Sequence, residues 1–158
     1  MSEVGGGEVV IGPLEDLAAM RRLGVACGLE DDGLGEEGIV AAWGARDGDE
    51  LVGALALERR AGLDIPNWLA VAESHRRRGI AAALYAALES EARARGVGRL
   101  WVTARAPVFF VAQGFAPAPP GKERDILLGG CLDCVQFGVE CEPKALTKRL
   151  DATDRHDP

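Results

Sequence analysis

The chain has 158 residues, 47% of them hydrophobic, which suffices for one domain whose apolar core needs neither disulfides nor metal to hold it. A formal net charge of −7 argues against a general nucleic-acid binder, and no apolar run is long enough to cross a bilayer. The opening residues lack the basic and apolar regions of a secretion signal, so the expectation is a cytoplasmic protein. In that setting its four cysteines are thiols or metal ligands rather than disulfides.

Residues 1–7 read as a flexible leader, residues 8–150 as a single domain and residues 151–158 as a polar, disordered tail. Val9-Val10-Ile11 has strand character, and Leu14, Leu17, Met20 and Leu23 fall at helical spacing. The Gly-rich acidic stretch 28–37 reads as a surface loop. Ile39–Ala45 and Leu51–Glu58 are apolar runs joined through Asp47-Gly48, a hairpin signal. Leu63–Val71 is a further strand, with an irregularity expected at Pro66, which lacks a ladder donor. A helix near 79–95 places Ile80, Leu84 and Leu88 on one face, and Gly96 ends it. Leu100–Thr103 reads as a strand and Pro107–Ala112 as a short helix stopped by Gly114. An extended piece begins at Phe115, a cysteine-bearing loop spans 131–141, and Ala145–Leu150 forms the closing strand. The result is an α+β fold with a mixed, mainly antiparallel sheet and a crossover helix after the central strand.

The segment with the most chemistry is Leu69-Ala70-Val71, followed by Arg76-Arg77-Arg78-Gly79-Ile80-Ala81 and the alanine-rich helix. A strand that runs into a cationic glycine turn and then a helix aims backbone N–H groups and the positive end of the helix dipole at one spot. Such a junction suits an anion, and best a pyrophosphate. This pattern, with Phe109-Phe110 and Gly114-Phe115 downstream, resembles the GNAT superfamily of acyl-CoA-dependent N-acetyltransferases. The likeness covers residues 8–116 in element order and 69–115 in motif detail.

The resemblance implies acetyl-CoA as co-substrate. Arg77 to Ala82 would bind its pyrophosphate through backbone N–H groups, with Arg76, Arg77 and Arg78 reaching outer phosphates and Gly79, Ile80 and Ala81 forming the turn. Leu69, Ala70 and Val71 would pair with the pantetheine arm, Phe110 would lie beside the cofactor, and an N–H near Val71 would hold the oxyanion. Two positions depart from the family pattern. Phe110 stands where many members place the Tyr that protonates the leaving thiolate. Asn67 stands where relatives often carry a basic Glu, which leaves Glu58 or Asp64 to act instead, through water. The only tyrosine, Tyr85, reads as a packing residue. A weak base suits an α-amine, with a pKa near ~8, better than a lysine near ~10.4.

Cys131, Cys134 and Cys141 cluster late in the chain; Cys-x2-Cys is a half-site for Zn²⁺, with reduced thiols in a packed loop as the alternative. Cys27, His75 and His156 are weak candidates for a fourth ligand. The loop is similar to one in small amino-acid N-acetyltransferases of the N-acetylglutamate-synthase type, and the region before 116 to arsenic-resistance-type N-acetyltransferases. The expected function is therefore direct acetyl transfer to the amine of a small molecule, best an amino acid, without nucleic-acid or membrane partners and with a homodimer left open. The alternative is a non-catalytic acyl-CoA sensor with a metal-binding cysteine loop.

Overall fold

The computed structural model describes residues 2–4, 9–27, 38–104, 108–132 and 144–150. Eight strands and four helices follow in chain order: β1 Ser2–Val4, β2 Val9–Pro13, α1 Leu17–Ala26, β3 Ile39–Asp47, β4 Glu50–Arg60, β5 Leu63–Val71, α2 Ile80–Ala94, β6 Arg99–Ala104, α3 Val108–Ala112, β7 Ala116–Pro117, α4 Lys122–Leu132 and β8 Lys144–Arg149. The fold is α+β, with antiparallel pairing between β1 and β2, β2 and β3, β3 and β4, β6 and β8, and β7 and β8. Where the sequence reads as one domain, the backbone divides into two compact units, residues 1–59 with 66–95 and residues 60–65 with 96–158.

In the first unit the sheet order is β1-β2-β3-β4-β5, so β5 is an edge strand. Part of the expected leader is strand: Ser2–Val4 pairs with Val9–Ile11, since β2 offers an edge that a three-residue segment can use without any periodicity of its own. The first helix starts three residues later than its apolar spacing suggests. Leu14 is buried, but its N–H donates to the Ala42 carbonyl of β3 at 2.9 Å. Asp16 then caps the helix, its carboxylate accepting from Ala19 N–H at 3.0 Å. The β3–β4 turn is Gly48-Asp49, one residue on from the expected Asp-Gly, and Gly48 takes φ 63° as the first central residue of a two-residue hairpin loop.

Leu14, Met20, Ala42, Ala54, Ala56 and Trp68 form one buried cluster of this unit. α2 buries Ile80, Leu84, Tyr85, Leu88 and Ala92. It packs on β4 at Gly53, where an added Cβ would lie 3.0 Å from Ile80 Cγ2 and 3.2 Å from Leu84 Cδ1. Along β5 the buried residues are first Leu63 and Ile65, then Pro66, Trp68 and Ala70, so the alternation slips by one. The left-handed residue beside the slip is Trp68, φ 59°, two positions beyond the proline expected to disturb the strand.

The second unit contains a three-stranded sheet of order β6-β8-β7. Its cluster joins Leu63, Ile65, Ala118, Leu127 and Ala145. α4 is an element that the sequence reading missed. Its sequence hides the helix because Gly129-Gly130, poor helix formers, interrupt the apolar residues, while Glu123 and Asp125 in the first turn favour the dipole. Cys131 therefore lies in the last turn of a helix. α3 is closed by Lys148 of β8, whose Nζ donates to the Gln113 carbonyl at 2.7 Å.

Gly53→Ala is expected to cost about 1–3 kcal/mol by overpacking α2 against β4, read from urea unfolding midpoints. Asp16→Ala should cost about 1 kcal/mol through loss of the cap, in the same assay.

Candidate functional site

The strand–turn–helix junction lies wholly in the first unit. β5 ends at Val71, a 3-10 turn covers Glu73–His75, and Gly79 caps α2 in the left-handed conformation, φ 79°. Arg77 is also left-handed, φ 66°, a state that costs a side-chain-bearing residue about 1–2 kcal/mol. Left-handed residues therefore stand on either side of Arg78, and turns that alternate in hand are the kind of backbone from which anion nests are built. The first helical hydrogen bond of α2 runs from Ala83 N–H to Gly79 C=O, so the N–H groups before Ala83 have no acceptor within the helix. No side chain caps the helix, and no acidic residue stands in its first turn. A Cβ on Gly79 would meet no atom of the described residues within 4 Å, so the turn is open at that position. Arg77 and Arg78 are exposed beside it. Arg76 is exposed as well, and its Nε donates to the Val71 carbonyl at 3.0 Å.

Val71 sits where β5 leaves the sheet. Ala72 N–H donates to Val52 C=O of β4 at 2.8 Å, so the backbone groups of Val71 face the other, outer edge. Its carbonyl there accepts from Arg76 and from the Cys27 thiol at 3.5 Å. Leu69 is half-buried and Ala70 buried. On the helix side Ile80 is buried, Ala81 half-buried and Ala82 exposed.

The two candidate catalytic residues come together. Asn67 Nδ2 donates to Glu58 Oε1 at 3.0 Å, and Asn67 Oδ1 accepts from Trp68 N–H at 2.8 Å. Glu58 is buried, and its Oε2 lies 3.5 Å from where a Gly38 Cβ would be, so the glycine leaves room beside the carboxylate. Asp64 is half-buried and belongs to the second unit.

Tyr85 is fixed as a packing residue. Its hydroxyl donates to Glu89 at 2.8 Å, and burial, with that carboxylate beside it, holds the phenol far above the usual tyrosine range. Phe110 makes edge-on contacts with Phe109 and Phe115, at centroid distances of 5.1 and 5.3 Å, and offers no proton.

One feature was not read as part of the junction. His75 Nε2 lies 2.8 Å from Asp47 Oδ2, and Nδ1 lies 2.7 Å from Ser74 Oγ. A histidine just before an arginine run carries no sequence signal that names its partner 28 residues upstream.

The candidate zinc ligands Cys134 and Cys141, the Cys131 side chain and His156 lie outside the described residues. Cys27 and His75 are engaged elsewhere, and among the described residues no group of three or more His, Cys, Asp or Glu could hold a metal.

Residues 39–117, half of the chain, match the acetyltransferase (GNAT) domain family. The chain belongs to the GNAT acetyltransferases. It is an acetyl-CoA-dependent N-acetyltransferase. Comparison with curated protein sequences found no match. Among solved structures, a Mycobacterium tuberculosis protein in complex with CoA is similar at TM-score 0.67 and 21% identity, covering 89% of this chain and 99% of that one. N-acetylglutamate synthase from Neisseria gonorrhoeae, complexed with coenzyme A and N-acetyl-glutamate, matches at 0.64 and 22%, over 90% of this chain and 35% of that one. The ribosomal-protein-S18-alanine N-acetyltransferase of Escherichia coli matches at 0.66 and 16%, over 90% and 94%. At these identities the likeness is one of fold. The GNAT fold here has no described helix long and apolar enough to cross a membrane.

Ala82→Asp separates helix stability from anion binding. A carboxylate in the first turn favours the dipole by about 0.3–1 kcal/mol, so the melting temperature should hold or rise. CoA affinity by calorimetry should fall at least about tenfold, because the same charge repels a phosphate.

Proposed function

We propose that this GNAT enzyme transfers the acetyl group of acetyl-CoA directly to the amine of a small molecule, with an α-amino acid as the favoured acceptor. The observation that carries the reading is the open N-terminus of α2 behind the left-handed turn at Arg77 and Gly79. It suits the pyrophosphate, with Arg77 and Arg78 beside it, while the outward backbone of Val71 suits the pantetheine arm and the oxyanion. Arg76 holds the strand end through its Nε, which leaves its outer guanidinium nitrogens for a phosphate.

In the proposed step the neutral amine attacks the thioester carbonyl. Electrons move to the carbonyl oxygen and return as the C–S bond breaks, giving the N-acetyl product and the CoA thiolate. Glu58, held by Asn67, takes the proton that the amine nitrogen loses, directly or through one water. No tyrosine is placed to protonate the thiolate; a thiol pKa near ~8.5 lets it leave without an acid. An α-amine is partly neutral at pH 7, which lowers the demand on the base. The likeness to enzymes such as N-acetylglutamate synthase supports the amino-acid class without naming the acid. The cysteines at 131, 134 and 141 have no step in this scheme.

Thiol release from acetyl-CoA against a panel of amines and amino acids tests the reading, with turnover expected on α-amino acids ahead of lysine ε-amines. Glu58→Gln keeps the shape and an acceptor oxygen, and should lower kcat about 10²- to 10³-fold with KM for acetyl-CoA little changed. Tight CoA binding without turnover on any amine of the panel would overturn the small-molecule acceptor.

A further inference from the structure

The cofactor turn is conformationally unfavourable at Arg77 and open to solvent at Gly79, yet it must present its N–H groups in one arrangement. Such a turn needs a fixed point outside itself. We infer that Asp47 and His75 are positioning residues for acetyl-CoA: the carboxylate pins the imidazole, and through it the turn that holds the pyrophosphate. The inference rests on the reading of that turn as the cofactor site.

Asp47 is well placed to serve as the fixed point. It pairs with Val9 of β2 on one side and with Glu50 of β4 on the other, next to the two-residue turn Gly48-Asp49. Its backbone is thus tied into two antiparallel ladders. His75 is the only buried residue of the 3-10 turn, and it directly precedes Arg76. A carboxylate can only accept, so Nε2 carries the hydrogen in the 2.8 Å contact with Asp47. That assignment leaves Nδ1 to Ser74 Oγ at 2.7 Å, and the hydroxyl can donate to a neutral ring or accept from a charged one. The ring is therefore held at both nitrogens. On the chain side, His75 N–H donates to Ala72 C=O at 2.9 Å, and Arg76 Nε closes the loop on Val71 at 3.0 Å. Ladder, imidazole and turn form one connected path.

A residue that only stabilised the fold would change melting and leave the kinetic constants alone. A positioning pair instead raises KM for acetyl-CoA and the CoA dissociation constant. Asp47→Ala is the primary variant, because its side chain is 42% exposed and the hairpin survives without it. It should raise KM for acetyl-CoA about tenfold, the factor given by about 1.4 kcal/mol of lost preorganisation. The expected change in kcat is below about twofold. Asp47→Asn keeps an acceptor oxygen and should recover most of the affinity. His75→Gln keeps an N–H in reach of Asp47 and should do better than His75→Ala. Asp47→Ala with His75→Ala should be no worse than either alone, since both remove one link.

Ala82→Asp, measured beside these by calorimetry with CoA, separates the two readings. If Ala82→Asp loses CoA while Asp47→Ala binds and turns over like the parent, the pin is wrong and the turn is still the anion site. If Ala82→Asp binds CoA unchanged, the anion site lies elsewhere and the pin falls with it.

Discussion

The amide of Asn67 is used twice, and the geometry of the reactive end of β5 follows from that. Trp68 takes a left-handed conformation inside a strand, which a bulky residue adopts only when its surroundings insist. Its indole fills a cluster with Leu14, Met20 and Ala42, so burial drives the distortion. The displaced N–H of Trp68 is satisfied by Asn67 Oδ1, and the other end of the same amide holds Glu58. A hydrophobic requirement in the core thus fixes the direction of a carboxylate. An Asn serves here because it has both an acceptor and a donor; a Glu at 67 would set a second negative charge against Glu58.

The α2 junction shows the same logic in backbone form. Ordinary helix starts recruit Ser, Thr, Asp or Asn to occupy the first N–H groups. Here a left-handed glycine stands in the cap position and the first turn is Ile-Ala-Ala, so no capping side chain occupies the first N–H groups among the described residues. The vacancy costs helix stability. Burial of Ile80, Leu84 and Leu88 and the close seat of the helix on Gly53 offset that cost.

The parts legible in sequence are those with local causes. α2, its glycine turn, the apolar runs of β3 and β4 and the Gly114 stop could be read because periodicity, left-handed glycine and dipole act within a few residues. Ser2–Val4 and α4 were missed for different reasons: one is made a strand by its partner, and the other is a helix that contains the pair Gly129-Gly130. At the site, residue types suggested Asn67 and Glu58 separately, but only strand pairing brings them within 3.0 Å. The 3-10 turn and the His75–Asp47 contact depend on a hairpin end far upstream, so no window around Arg76 could reveal them. Arg76 shows the same limit: its charge is legible in the sequence, while the contact of its Nε with the Val71 carbonyl appears only in the folded turn.

Lys148 adds an order in time. α3 is a helix of only five residues, too short to persist by its own hydrogen bonds, and its C-terminal carbonyl at Gln113 is held by an ammonium from the last strand. During synthesis the first unit is fully encoded once residue 95 has been added, whereas the clamp on α3 waits for residue 148. A nascent chain stopped anywhere between those points has the glycine turn and its helix but lacks the group that closes the Phe109-Phe110 segment. The glycine turn with its helix and the Phe109-Phe110 segment therefore become complete at different stages of translation.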